Sequence, residues 1–290
     1  MKQVLAFVAV LIIAGVSLYY AQHRKYADAV SANAVVDVAA DWQRDISRVP
    51  MRITRISDQE EKRIGDELAQ QYKSNDAALN PKTRATEHYI NAVGGRVAAH
   101  AKRRLPFRFH LVSDNNLINA FALPGGHIFV GQGLLDRMTS EDELAFVLGH
   151  EIEHIDHYHA VERVQIEAQL KNLSLEAVAS LAQIPVTLWQ IGYSKDEEME
   201  ADREGLLLAS ASGYSAQGAV NLLERWTRLR QEYVIHAENP TDELSQLAID
   251  SLTGYFRTHP LPSERLAQAN EVIAQDHLPV DKPLKSFHAE

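Results

Sequence analysis

The sequence contains no cysteine among its 290 residues. This absence excludes disulfide bonds, iron–sulfur clusters, thiolate zinc sites and a lipidated N-terminal cysteine. The chain nevertheless has 13 histidines and 39 acidic residues. Any bound metal ion must therefore be held by imidazole and carboxylate groups. The absence of cysteine does not indicate whether the protein resides in a reducing or an oxidising compartment.

Positive charge is scarce as well, because 29 lysines and arginines stand against 39 acids and give a net charge of −10. Proteins that bind nucleic acids generally rely on clustered positive charge, so nucleic acid is not an expected partner. Hydrophobic residues make up 46% of the chain and charged residues 23%. This balance is typical of one main globular domain.

One long uncharged apolar run, Val4 to Ala21, lies near the N-terminus. It is close to the minimum length for a membrane-spanning helix. A cleaved signal peptide would need small residues where Tyr19 and Tyr20 stand, so we interpret residues 1–25 as a signal anchor, with a signal peptide as the alternative. Basic residues flank both ends of the run, so charge does not fix its orientation. Residues 26–57 are interpreted as an amphipathic linker.

Scaffold elements are predicted to follow this linker. Asp58 with Glu61 three residues later predicts the N-cap of a first helix, and residues 86–101 predict a second. The alternation of Phe109 and Leu111 with polar neighbours then predicts a half-buried strand.

Two apolar runs around Pro124-Gly125-Gly126 predict a β-hairpin. The hairpin is interpreted either as purely structural or as part of a substrate site. In the second interpretation its outer strand is an exposed edge that holds an extended peptide by main-chain hydrogen bonds. The residues of that strand are Asn119, Ala120, Phe121, Ala122 and Leu123.

The segment "LGHEIEHIDHYHA", residues 148–160, contains four histidines and two glutamates. Ser140 with Glu143 predicts a capping box that starts the helix on which this segment lies. His150 and His154 are four residues apart and share one helix face, so their imidazoles can bind one ion. Glu151 is rotated about 100° from His150, a position that suits a general base rather than a ligand.

Two imidazoles leave a catalytic zinc site one protein ligand short. The metzincin spacing fails, because Ala160 and His157 stand where histidine and glycine would be required. His157 and His159 are interpreted as groups outside the ligand set or at the surface.

The segment "KDEEMEADREG", residues 195–205, offers carboxylates on another predicted helix, although alone it would be a solvated acidic face. Glu198 with Asp202 four residues later would present a ligand and a neighbour on one face. Spacing does not exclude Glu197.

Four blocks in order resemble the M48 peptidases, the Ste24-like and Oma1-like zinc metalloproteases that include bacterial envelope proteases. The resemblance implies a zincin-type fold of the α+β class, mainly helical with a small sheet, over residues 58–270, before a C-terminal tail at 271–290. The matching blocks are "NAFALPGGHIFVGQGLL", "ELAFVLGHEIEHIDHYH", "EMEADREG" and "THPLPSERL".

The resemblance also implies site residues. It places the third metal ligand on Glu198 and a second acid, often assigned as a proton donor, on Asp202. Chemically, Asp202 is better suited to orient a ligating imidazole. His259 matches a His-Pro element near the metal, as an oxyanion donor or a removable fourth ligand. A capping histidine is the structural alternative for His259.

The expected function is that of a zinc-dependent endopeptidase with one Zn²⁺ per chain, bound by His150, His154 and Glu198. Its expected substrates are unfolded or misfolded envelope proteins, and its catalytic domain is expected on the periplasmic side of a membrane. The alternative is a non-catalytic peptide-binding or chaperone module whose zinc is covered by His259. Residues 174–192 are interpreted as a buried or lid helix.

Overall fold

The computed structural model describes residues 56–72, 81–170, 174, 177, 193–236 and 262–287. This part of the chain is mainly helical with one small sheet, which confirms the predicted class. Its elements in chain order are α1 (Asp58–Tyr72), α2 (Pro81–Ala98), β1 (Arg108–Val112), β2 (Ala120–Leu123), β3 (His127–Gly131), α3 (Gln132–Leu135), α4 (Glu141–Asp156), α5 (His159–Leu170), α6 (Lys195–Ala211), α7 (Gln217–His236) and α8 (Pro262–Gln275).

The sheet has the order β1-β3-β2, with β1 parallel and β2 antiparallel to β3. The predicted hairpin is confirmed, since β2 and β3 are joined by the 3-10 turn Pro124–Gly126. Gly125 and Gly126 have φ values of 75° and 98°, a left-handed region that favours glycine. In β1, Phe109 and Leu111 are buried, as the alternation predicts.

Helix α4 is the central element of the domain, and every one of its residues is buried. Its 16 residues span about 24 Å at 1.5 Å per residue. The Ser140 side chain accepts a hydrogen bond from the Glu143 amide and so caps the helix. The predicted capping box is only half formed, because the backbone amide that donates to the Glu143 carboxylate is that of Thr139 and not that of Ser140. The Glu143 carboxylate accepts from the Thr139 amide at 3.0 Å and forms an ion pair with Arg225. The N-terminus of α4 is therefore held both by the Ser140 cap and by the contacts of Glu143.

Three predicted boundaries differ from the structure, and the first is that of the second helix, which was predicted at residues 86–101 and spans Pro81–Ala98. Asp58 lies inside α1, and the cap is Ser57, whose hydroxyl accepts from the Glu60 amide at 3.2 Å. The expected tail after Asn270 is wrong up to Phe287, because α8 continues to Gln275 and the following residues pack on α4. The Lys285 amide donates to Asp142 at 2.6 Å, and the backbones of Ser140 and Ser286 form a β-bridge.

Among the described residues, no helix is both long enough and apolar enough to cross a bilayer. The predicted segment 1–25 and the linker up to residue 55 lie outside the described residues. The same holds for the predicted lid helix, except for Ser174 and Ala177.

Candidate metal centre

The two histidines predicted to bind metal lie side by side in the buried middle of α4. His150 and His154 are 2% and 0% exposed. Their Nε2 atoms are 3.1 Å apart, and their rings are nearly perpendicular. One turn of helix therefore presents both Nε2 atoms to the same point.

Helix α6 crosses α4 at this position because both helices have a glycine there. A Cβ on Gly149 would lie 2.5 Å from the Gly205 carbonyl oxygen, and a Cβ on Gly205 would lie 2.5 Å from the His150 amide nitrogen. The two backbones are thus in direct contact, which brings Glu198 of α6 to the histidine pair. Its Oε2 lies 3.5 Å from Nε2 of His150 and its Oε1 lies 3.6 Å from Nε2 of His154.

This arrangement fits a tetrahedral zinc ion. Zinc at about 2.0–2.1 Å from each of its ligand atoms holds those atoms about 3.3–3.4 Å apart. The separations among His150, His154 and Glu198 run from 3.1 to 3.6 Å. Two imidazole nitrogens and a carboxylate, all buried, are also the donor set of hydrolytic zinc sites.

The structure distinguishes Glu198 from its neighbour Glu197. The Glu197 carboxylate accepts a hydrogen bond from the Ser194 amide at 3.2 Å, and the Ser194 hydroxyl accepts from the Glu197 amide, so the two residues form the capping box of α6. Glu197 therefore caps the N-terminus of α6. Glu198 is 0% exposed and faces the histidines.

His150 is oriented by a buried ion pair behind it. Its Nδ1 lies 2.9 Å from the Asp202 carboxylate, and Arg265 of α8 donates to both oxygens of that carboxylate at 2.6 Å. Burial alone would raise the pKa of Asp202, but Arg265 and His150 together hold this pKa well below its ordinary value. An ionised Asp202 keeps the proton of His150 on Nδ1, so Nε2 presents its lone pair to the metal position.

His154 is held by a different set of neighbours. Its Nδ1 lies 3.1 Å from Nδ1 of His159, whose Nε2 lies 3.5 Å from the Glu200 carboxylate. The Tyr193 ring stacks on the His154 ring with centroids 3.6 Å apart, and the Arg163 guanidinium covers the Tyr193 ring at 4.2 Å. These contacts fix the plane of the second imidazole.

Glu151 is buried beside the ligands. Within the described part of the chain, its Oε2 has no hydrogen-bond partner. Burial raises the pKa of Glu151 to about 7, and it raises the pKa of Glu198 to about 7 as well. A carboxyl group with a pKa near neutrality suits general acid–base chemistry.

The predicted substrate strand lies at the edge of the sheet, because β2 pairs only with β3 among the described strands. The prediction that this edge is exposed is wrong, since residues from Asn119 to Leu123 are 1–6% exposed. The Asn119 carbonyl accepts from the Gly131 amide, so the backbone of Asn119 faces β3. By the alternation of an antiparallel pair, the backbone groups of Ala120 and Ala122 face away from β3. The side-chain oxygen of Asn119 accepts a hydrogen bond from the Ala120 amide at 3.0 Å.

Several residues of the site were not anticipated from the sequence. Gly149 directly precedes His150, and Gly205 is the last residue of the segment 195–205. The available signal was a small residue on each of the two helices that carry the proposed ligands. Arg265 lies in the last block of the resemblance, but nothing in that block indicates its partner. Tyr193 gave no signal at all. His259 lies outside the described residues, so its role stays a prediction.

A buried His-His-Glu set with a glutamate directly after the first histidine defines a metallopeptidase site of the His-Glu-x-x-His class. The sequence pattern of peptidase family M48 matches residues 84–273. The chain belongs to this family of metallopeptidases.

Named relatives agree with this classification. The chain is 29% identical over 229 residues to a putative beta-barrel assembly-enhancing protease of Vibrio cholerae, which covers 73% of this chain and 43% of the relative. It is 30% identical to the beta-barrel assembly-enhancing protease of Escherichia coli K12, with 72% and 43% covered. It is 29% identical to the mitochondrial metalloendopeptidase OMA1 of Schizosaccharomyces pombe, with 74% and 60% covered. The chain thus spans less than half the length of the two bacterial relatives.

Proposed function

We propose that this chain is a zinc-dependent endopeptidase whose ion is bound by His150, His154 and Glu198. The observation that supports this most directly is the convergence of the two Nε2 atoms and the Glu198 carboxylate at 3.1–3.6 Å. Beside them lies a Glu151 oxygen that has no hydrogen-bond partner among the described residues. When bound, Zn²⁺ supplies Lewis acidity toward the scissile carbonyl and toward water.

The residues of the chain have separate roles in this proposal. Glu151 takes a proton from the attacking water and delivers it to the leaving amine nitrogen. Asp202 and Arg265 hold the His150 ring in place, so Asp202 orients a ligand and does not itself donate the proton. His259 is proposed as an oxyanion donor or removable ligand on the basis of the resemblance alone.

The proposed substrate is an extended segment of an unfolded or misfolded protein. In this proposal an extended peptide adds to the β2 edge through the outward N–H and C=O of Ala122, next to α4, which packs against β2. Because residues from Asn119 to Leu123 are only 1–6% exposed, this pairing requires the groups that cover the edge to move aside. Such pairing selects for flexible segments, because folded domains have few free extended stretches. The names of the bacterial relatives, which refer to assembly of β-barrel proteins, support a role in quality control of envelope proteins.

We further propose that the catalytic domain lies outside the cytoplasm, anchored or exported through residues 1–25. The support is the apolar run from Val4 to Ala21 together with the resemblance to envelope proteases. A reporter that functions only in the cytoplasm, fused after Glu290, should be inactive. An active fusion would place the domain on the other side.

The function is tested with the full chain, loaded with Zn²⁺, and a reduced and alkylated protein that cannot fold. The parent should cleave it, and Glu151→Gln should retain one zinc per chain while losing about 100- to 10,000-fold in turnover. Glu271→Gln, an exposed change of the same kind on α8, should match the parent.

Unchanged turnover in Glu151→Gln would reject this residue as the base. Cleavage by neither chain, despite stoichiometric zinc, would favour the peptide-binding module over the enzyme. In that case His259→Ala distinguishes a latent enzyme, which this change would activate, from a module without activity.

A further inference from the structure

A second group of metal-binding side chains lies at the junction of α4 and α5, outside the proposed catalytic set. His157, Tyr158 and His159 form a tight turn in which Tyr158 has a φ of 66°. A left-handed conformation is unfavourable for a non-glycine residue. The Arg103 guanidinium packs on the Tyr158 ring at 4.0 Å. The turn places the two imidazoles on the same side, with ring centroids 5.5 Å apart.

Glu200 of α6 faces both of these imidazoles. Its Oε2 lies 3.4 Å from Nδ1 of His157 and 3.5 Å from Nε2 of His159. One ligand atom from each of the three residues lies within 4.8 Å of the others. The side chain of Glu200 is 48% exposed and that of His157 is 23% exposed, so an ion can enter from solvent.

Glu153 supports His157 from the opposite side of the ring. Its Oε2 lies 3.1 Å from Nε2 of His157, and Glu153 is 1% exposed. Unlike the contact between Asp202 and His150, this one does not have hydrogen-bond geometry, so Glu153 places negative charge beside the ring without fixing its proton.

We propose that His157, His159 and Glu200 form a second, more exposed site for a divalent transition metal such as zinc. Two imidazoles and one carboxylate suit such ions, whereas calcium and magnesium prefer sites made entirely of oxygen. The solvent exposure of Glu200 and His157 makes this site weaker than the buried one.

The two sites are coupled through the contact between His154 and His159, whose Nδ1 atoms are 3.1 Å apart. An ion on Nε2 of a neutral imidazole leaves the proton of that ring on Nδ1. With both sites occupied, two N–H groups would face each other at hydrogen-bond distance. Occupation of one site therefore weakens the other, reciprocally, so that excess zinc opposes the catalytic ion. This coupling rests on the proposed function of His154 as a ligand.

The test is zinc titration of the full chain by calorimetry, with bound metal measured after removal of free ion. The parent should bind a tight and then a weaker equivalent. His157→Gln should lose only the weaker one. Glu200→Gln should lose the weaker one and also reduce the affinity of the tight one, because Glu200 contacts His154 through His159. His88→Gln, an exposed histidine on α2, should retain both. A parent that binds a single ion, or retention of the weaker equivalent by both variants, would overturn the second site.

Glu198→Ala separates this inference from the proposed function. It should remove the tight equivalent and strengthen the remaining site by about 5- to 150-fold, the usual range of coupling between two sites. An unchanged affinity of the remaining site would reject the coupling. Retention of the tight equivalent would instead reject Glu198 as the catalytic ligand, and it would not affect the proposal of a second site.

Discussion

Gly149 and Gly205 place the backbones of α4 and α6 in direct contact, and Gly149 directly precedes His150, the first proposed metal ligand. A methyl group on Gly205 would lie 2.5 Å from the His150 amide nitrogen and 2.7 Å from the Gly149 carbonyl carbon. Neither backbone can yield without moving its helix. The separation of the two helices, and with it the distance from Glu198 to the histidines, is set by these two residues.

Gly205→Ala should therefore weaken zinc binding and destabilise the fold together. Overpacking of this kind costs about 1–3 kcal/mol. Gly95→Ala is the matched control, because a Cβ there meets nothing within 4 Å, and it should stabilise the chain by about 0.5–1 kcal/mol. Zinc affinity and thermal unfolding are the measurements. Normal zinc affinity in Gly205→Ala would show that the helices can separate without moving Glu198.

Glu198→Ala and Glu197→Ala should have opposite effects. The first should abolish stoichiometric zinc, because it removes a ligand. The second should retain zinc and cost about 0.5–2 kcal/mol of stability, because it removes half of the α6 capping box. Metal content after dialysis and chemical unfolding measure the two effects. Loss of zinc from Glu197→Ala alone would show that Glu197, and not Glu198, is the ligand.

Arg265→Gln should lower zinc affinity although Arg265 is not a ligand. The change leaves Asp202 buried without its cation, which costs about 3–5 kcal/mol, and it frees the orientation of His150. Loss of such support typically reduces metal affinity about 10- to 100-fold. Arg228→Gln, at an exposed arginine of α7, should cost less than about 1 kcal/mol and leave zinc unchanged. Unchanged zinc affinity in Arg265→Gln would mean that Asp202 orients His150 by itself.

The metal-free chain should lose stability as the pH rises from about 4.5 to about 7. Burial raises the folded-state pKa of Glu151 and Glu198 from 4.5 to about 7, so in this window the folded state binds more protons than the unfolded state. The free energy of unfolding then falls with pH, by up to about 3 kcal/mol per carboxyl group, and levels off above the window. The two groups titrate as a coupled pair.

Urea unfolding in the presence of a chelator, at several pH values, measures this decline. Glu151→Gln should reduce it, and Zn²⁺ should reduce it too, because the ion favours the ionised carboxylates. Stability that rises across the window in the metal-free parent, with no effect of Glu151→Gln, would contradict the assignment.

Peptide binding along β2 should depend on alternate amides of the substrate. A peptide that the parent cleaves can be prepared with one amide N-methylated at a time, which removes one donor and leaves the protein intact. The amide that pairs with the Ala122 carbonyl should be required, whereas its immediate neighbours should tolerate the methyl group, because strand backbones alternate in direction. Equal tolerance at all positions would exclude pairing with the strand.

Much of the site could be predicted from local sequence. The spacing of His150 and His154, the capping of α4 by Ser140, and the hairpin around Pro124 each depend on residues within a few positions of one another. The cap of α1 was assigned one residue late, because Ser57 and Asp58 are both good caps. The predicted exposure of β2 and the predicted start of the tail at residue 271 were wrong, since burial depends on which distant elements cover a segment.

The sequence by itself determined that any metal is bound by histidine and carboxylate, that two histidines share one helix face, and that Glu151 is adjacent to them. These properties follow from composition and from the 3.6-residue period of the helix. Spacing left Glu197 and Glu198 open and the resemblance favoured Glu198, and the tertiary structure shows that Glu198 faces the histidines. The tertiary structure alone decided that Arg265 neutralises Asp202 and that His159 connects the two histidine groups. Each of these contacts joins residues from separate elements, and their geometry depends on the backbone approach at Gly149 and Gly205, which spacing along the chain does not encode.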